Sequence, residues 1–182
     1  MDTTITKPTT VVYIATSLDG FIARPDGAID WLGEPEEGED YGWAEFIASI
    51  DMIVMGRITF EQVVSFGVWP YEGTALTVLS RSLNTVADHL REKVEIASME
   101  PIALLDHLAA RGCKRIYVDG GKTVQSFMRA DLIDELVITT LPVLIGQGIP
   151  LFGPLDGDLQ WDHVTTETLH KGMVKNSYRR PR

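Results

Sequence analysis

Apolar and polar positions fall in alternating blocks along this chain, and two periods recur. Residues 11–16 form an apolar, β-branched run that closes on Asp19-Gly20, which predicts a buried strand. Residues 24–40 are rich in glycine and acids and hold two prolines, so they predict a long mobile loop. Trp43, Phe46, Ile47 and Ile50 then recur at i, i+3, i+4 and i+7, one face of a helix. Residues 51–55 predict a second strand, leading through Gly56 into a short helix near 59–65. Residues 75–79 and, more weakly, 94–97 predict two further strands. Ile102, Leu105, Leu108 and Ala109 mark a helix ending at Gly112, a fitting residue just past a helix end. Residues 115–118 predict a fifth strand, followed by Gly120-Gly121 and a helix over about 123–130. Strands over 135–141, 160–168 and 173–178 complete the pattern, the last two forming an antiparallel hairpin around Gly172.

Strands that alternate with helices need crossover connections, so the pattern predicts a three-layer α/β/α fold. Its sheet is mixed and mostly parallel, with about eight strands, and the closing hairpin supplies the antiparallel part. Ligands in such sheets bind at the carboxyl ends of the strands, where the glycines of this chain fall.

The length of 182 residues fits one domain, 1–182, and no linker or internal repeat divides it. The net charge of −10 argues against nucleic acid, because an acidic chain repels the phosphate backbone. It leaves room for a small anion held by local cations and amides. One cysteine, Cys113, excludes an intramolecular disulfide and a thiolate metal site, and an inert buried thiol is expected there. The polar start over residues 1–10 has no signal-peptide pattern, and no apolar run approaches the ~20 residues of a membrane span. A cytosolic protein without membrane partners is expected.

Three strand ends carry candidate chemistry. At Met55-Gly56-Arg57-Ile58-Thr59-Phe60, glycine permits close approach, a helix start presents free amides, and Arg57 and Thr59 add donors. An ordinary turn with a surface arginine is the competing reading. At Val118-Asp119-Gly120-Gly121-Lys122-Thr123, two glycines between strand and helix let a diphosphate approach the main chain, although a plain tight turn has the same residues. A P-loop is excluded, since the glycine it needs five positions before Gly121 is Ile116. At Leu79-Ser80-Arg81 a strand-tip Ser-Arg pair suits a phosphomonoester such as the 2′-phosphate of NADP. The four histidines show no metal-ligand spacing, so no metal is expected.

Together these segments resemble a known pattern. Met55-Gly56-Arg57-x-Thr59-Phe60 is similar to the M-G-R-x-T-[FW] signature of dihydrofolate reductases, and the order of the other motifs follows that superfamily over about residues 11–178. Residues 17–23, Asp30-Trp31-Leu32 and the run from Pro142 to Phe152 look more like the C-terminal reductase domain of the bifunctional riboflavin enzyme and its stand-alone relatives. The resemblance implies NADPH as cofactor. It sets Ala15 and Thr16 by the nicotinamide, Gly56, Arg57 and Thr59 on the phosphates, and Ser80 and Arg81 on the 2′-phosphate. Gly120, Gly121, Lys122 and Thr123 would cradle the diphosphate. It also implies a homodimer, for which the apolar run over 141–152 would supply an interface.

Reducing a C=N bond leaves nitrogen needing a proton, so a nearby carboxylate is sought. Folate reductases place one at the start of the helix before M-G-R, and Asp40, 15 positions before Met55, corresponds. It borders the apolar helix face, which predicts a pKa raised by desolvation; simple capping of the helix is the rival role. Asp19 is the second catalytic candidate, with an Asp-Gly turn as its rival role. Trp31 in the loop and Phe152 are candidate substrate contacts, while Trp43, Trp69 and Trp161 are core candidates. Pro142, Gly146 and Gly148 shape a loop over the substrate or a subunit contact. The expected activity is hydride transfer from NADPH to a pyrimidine- or pterin-like heterocycle, with 5-amino-6-(5-phosphoribosylamino)uracil as the best named example. Reduction of a dihydropterin, or a non-catalytic NADP-binding module, are the alternatives. The Trp and Pro pattern that precedes the folate-family carboxylate is missing here, which speaks against dihydrofolate.

Overall fold

Residues 6–34 and 36–181 are described by a computed structural model; the start of the polar segment (residues 1–5), Pro35 and Arg182 lie outside the described residues. The first half forms β1 (Thr9–Thr16), β2 (Phe21–Ala23), α1 (Trp43–Ala48), β3 (Met52–Gly56), α2 (Arg57–Ser65), β4 (Ala75–Leu79) and β5 (Val94–Ala97). The second half forms α3 (Pro101–Ala110), β6 (Arg115–Asp119), α4 (Gly121–Arg129), β7 (Glu135–Thr140), β8 (Ile149–Pro150), β9 (Asp162–Thr168) and β10 (Val174–Arg179).

The main sheet runs β5-β4-β3-β6-β1-β7-β10-β9. Its first six strands are mutually parallel, and β10 and β9 are antiparallel, as the sequence predicts. Strand alternation sorts the side chains into two cores. Val12, Met52, Val54, Ile116 and Val118 face one side, under Leu104, Leu105 and Leu108 of α3 and Val124 and Phe127 of α4. Val11, Ile53, Met55 and Tyr117 face the other, under Phe46 of α1 and Phe60 and Val63 of α2. The sheet is therefore the middle of three layers. Pro101 opens α3 at its first helical position, and Gly112, at φ +85°, follows its end.

Several local readings change. Residues 24–40 are not a free loop: Arg24 pairs with Asp30 at 2.6 Å, Gln62 of α2 donates to the Gly27 carbonyl at 2.8 Å, and a 3-10 turn spans Asp30–Leu32. Just before it, β2 pairs with β8 in a two-stranded ribbon. Elements of two or three residues are too short to show a period, so the pattern misses them. The helix expected from residue 123 starts at Gly121, because Gly120 at φ +87° turns the chain straight from β6 into the helix. Cys113 is half-buried rather than buried, and what burial it has raises its pKa.

Candidate functional site

A cleft of about 650 Å³ opens at the carboxyl ends of β1, β3, β4 and β6. β6 lies between β3 and β1, so the β3–α2 and β6–α4 turns stand side by side at its wall. The two turns interlock. Gly56 precedes α2 and Gly120 precedes α4, and each meets a threonine of the other helix. A Cβ on Gly56 would lie 2.9 Å from Thr123 Oγ1, and one on Gly120 would run into Thr59 Oγ1. Neither helix has a side-chain cap, so the first amides of two nine-residue helices are left for another acceptor. Their dipoles add partial positive charge. Arg57 and Lys122 line the same wall. Arg57 Nη1 donates to both carboxylate oxygens of Glu61, at 2.8 and 2.9 Å, which steadies the guanidinium and leaves other N–H groups over.

The cleft also holds a carboxyl and three phenols that sequence reasoning did not single out. Asp119, Tyr117, Tyr71 and Tyr13 all line it. Burial is the leading cause raising the Asp119 pKa, against the Gly120 amide, which donates at 2.8 Å, and the Tyr117 hydroxyl. Burial likewise raises the pKa of Tyr71 and Tyr117, with Asp119 adding to it. Tyr117 donates to the Tyr13 carbonyl at 3.1 Å and packs edge-on against Phe46. The signal was present: Tyr117 breaks an aliphatic strand, and Asp119 ends it beside two glycines.

A second cavity, about 470 Å³, shares Tyr13, Ile14, Ala15 and Leu32 with the cleft. Trp31, Glu34, Asp40, Tyr41, Lys171 and an apolar wall from Leu141 to Val143 complete it. The Trp31 indole N–H is buried and has no partner among the described residues. Asp40 differs from expectation. It is exposed, and its oxygens accept from the Gly42 amide at 2.9 Å and the Ala44 amide at 3.0 Å. Those amides, helped weakly by Lys175, hold its pKa below the usual value, so the predicted rise is not found. The tight turn after Asp40 satisfies the carboxylate before any apolar face can desolvate it.

The structure thus brings together Ala15, Gly56, Arg57, Thr59, Gly120, Gly121, Lys122 and Thr123 in the cleft, and Trp31 and Asp40 in the adjoining cavity. Other candidates lie apart. Thr16 is buried in the sheet and lines neither space. Ser80 Oγ accepts from the amides of Ser82 and Leu83, and exposed Arg81 pairs with Glu100 at 2.6 Å, both beyond Leu79 at the cleft margin. Asp19 accepts from the Ser17 hydroxyl at 2.6 Å and the Gly146 amide at 2.8 Å, fastening the β1–β2 turn to the loop after β7. These bonds, Ser17 first, lower its pKa. Phe152 is exposed and outside both cavities. Among the described residues, no cluster of His, Cys, Asp and Glu could hold a metal ion, and no helix is long and apolar enough to cross a membrane.

A mostly parallel sheet ending in an antiparallel pair, with two glycine turns at its carboxyl edge, defines a dihydrofolate-reductase-like α/β protein. The chain belongs to the RibD C-terminal domain family, whose sequence model matches residues 8–175. It is 40% identical over 151 residues to the uncharacterised protein YwjB of Bacillus subtilis, covering 82% of this chain and 85% of that one. Among solved structures, a provisionally named riboflavin biosynthesis protein from Shewanella sp. PV-4 superposes with a TM-score of 0.91 at 37% identity, over 96% of this chain and 99% of that one. The diaminohydroxyphosphoribosylaminopyrimidine deaminase/5-amino-6-(5-phosphoribosylamino)uracil reductase of Thermotoga maritima has the same fold, with a TM-score of 0.75 at 16% identity, over 96% of this chain and 57% of that one. The family is related to reductases that generally use NADPH.

Proposed function

We propose that this protein is an NADPH-dependent reductase acting on a pyrimidine- or pterin-like heterocycle, with the phosphoribosylamino-uracil of riboflavin synthesis as the named example of the class. The observation that carries the reading is the interlocked pair of glycine turns, with two uncapped helix starts and Arg57 and Lys122 on one cleft wall. A diphosphate fits that chemistry: side chains at Gly56 or Gly120 would fill the approach, and the free amides have no acceptor of their own. Gly56, Arg57, Thr59, Gly120, Gly121, Lys122 and Thr123 would hold the phosphates. Ala15, shared by the two spaces, would stand at the nicotinamide end.

Bound NADPH supplies the hydride; the protein's part is orientation and electrostatics. Asp119 lies beside the diphosphate turn, where burial raises its pKa and the Gly120 amide donates to its carboxyl. Asp40, held as a carboxylate, suits hydrogen-bond acceptance from a substrate amino group better than proton donation. Ser80 and Arg81 would take the 2′-phosphate only if Arg81 leaves Glu100. The reading includes a cytosolic homodimer, for which exposed Leu18, Leu144 and Phe152 offer apolar contact.

The test is a titration of the purified protein with NADPH and NADH, followed by tryptophan fluorescence. Saturable NADPH binding, weaker for NADH and lost in Arg57→Ala plus Arg81→Ala, is expected. Absence of binding by either nucleotide would remove the reductase assignment.

A further inference from the structure

The two spaces meet along Tyr13, Ile14, Ala15 and Leu32, yet their charge chemistry is opposite. The cleft wall offers Arg57, Lys122 and two helix starts, all suited to phosphate. Among the described residues, the second cavity presents Glu34 and Asp40 against one ammonium, Lys171, and no arginine lines it. That ammonium is already drawn toward Glu36, at 3.7 Å, which also pairs with His170 at 2.7 Å. Lys175, near Asp40, is engaged by Glu167 at 3.0 Å.

Besides Lys171 and the hydroxyls of Tyr41 and Thr139, this cavity offers carboxylate acceptors, a buried indole donor and an apolar wall. Each Asp40 oxygen accepts one backbone amide, which leaves each a further lone pair. The buried Trp31 indole N–H has no acceptor among the described residues, so a ligand carbonyl or ring nitrogen would satisfy it. Leu141, Pro142, Val143 and Met173 give a surface for a flat ring.

We infer that the cavity beside the cofactor cleft takes an unphosphorylated, amino-bearing heterocycle, neutral or cationic, and discriminates against the phosphate ester of the same compound. The inference rests on the reductase reading above for its choice of cavity; within that reading it keeps the aminouracil ring of the named example and excludes its phosphate ester. A phosphate monoester carries about −1.5 to −2 at pH 7. It would bring that charge into a cavity lined by two carboxylates against one ammonium, Lys171, which Glu36 shares, and like-charge juxtaposition is a basis for rejecting a ligand.

The experiment is calorimetric titration of the full chain, with and without saturating NADPH, against 5-amino-6-ribitylaminouracil and its 5′-phosphate. Both compounds are already reduced, so binding is read without turnover. The unphosphorylated compound should bind at least about tenfold more tightly at low salt. The gap should narrow at high ionic strength and in Glu34→Gln plus Asp40→Asn. Glu34→Gln alone, at an exposed side chain, gives the same reading with a smaller change if the double variant fails to fold. Equal or tighter binding of the phosphate ester would overturn the inference, as would binding of neither compound or a gap indifferent to salt and to these substitutions. Failure of the reductase reading is seen separately, as loss of nucleotide binding.

Discussion

Replacing Gly120 by alanine should strike the point where the two phosphate-facing turns touch. Gly120 has φ +87° and ψ 137°, a conformation that side chains rarely adopt, and its new Cβ would also meet Thr59 Oγ1, Cβ and Cγ2. Holding a non-glycine residue in such a region costs of order 1–3 kcal/mol, and forcing an extra carbon into a packed contact costs about 1–3 kcal/mol more. The sum, about 2–6 kcal/mol, corresponds to a Tm lower by roughly 5–20 °C for a chain of this size. Thermal unfolding by circular dichroism reads it without any ligand. Gly56→Ala is the internal control: its φ of −81° is ordinary and only the 2.9 Å approach to Thr123 Oγ1 is violated, so its loss should be smaller, about 1–3 kcal/mol. A double-mutant cycle separates the two causes. In a Thr59→Ala background the overlap with Oγ1 and Cγ2 disappears while the backbone cost stays, so Gly120→Ala should cost about 1–3 kcal/mol less there than in the wild type. An unchanged Tm for Gly120→Ala, or strict additivity with Thr59→Ala, would refute the interlocking account.

Gly148 packs where its Cβ would run into the Ala23 carbonyl and the Phe21 ring, so Gly148→Ala should pry β8 from β2 and cost about 1–3 kcal/mol in chemical denaturation. A wild-type midpoint would show that the ribbon yields freely. Burial raises the folded-state pKa of Asp119, so its contribution to stability is fully present below the unfolded carboxylate value, about 4. It is lost as pH rises through the folded value. Asp119→Asn should therefore raise Tm at neutral pH relative to wild type, with the difference fading in acid; parallel Tm–pH curves would contradict it. Glu100→Gln releases Arg81 from its exposed ion pair and should tighten NADPH binding two- to fivefold, about 0.4–1 kcal/mol, with no change for NADH. An equal gain for both nucleotides, or none, would take Arg81 out of the cofactor site.

The sequence was most informative where a period repeats. The unbroken apolar runs of β3 and β6 identify central strands, because a packed sheet buries both faces of them. The α3 face reads correctly at Leu105 and Leu108 but includes exposed Ile102 and omits buried Leu104. Legibility failed where one contact between distant segments decides the matter. Nothing near Arg81 announces that Glu100, 19 residues on, will take its guanidinium. Asp40 stands among acids ahead of an apolar helix face, which suggests desolvation; the amides two and four residues later reverse its shift. The 24–40 segment reads as loose because glycine and proline suppress any period, yet the Gln62 bond to the Gly27 carbonyl ties it to α2.

The two glycine motifs look independent in the sequence, 64 positions apart from Gly56 to Gly120, and each alone is compatible with a plain turn. Sheet order changes that. Because β6 is the direct neighbour of β3, their following helices start side by side, and the threonine three residues into each helix reaches the glycine before the other. Each glycine therefore has two jobs, one in its own turn and one in making room for its neighbour's threonine. A turn that only reversed the chain would need the first job alone. The second draws two sets of uncapped amides together on one wall, and one anion with two phosphates is the kind of ligand that can use both. It is the pairing of the motifs, contained in neither alone, that suits a dinucleotide.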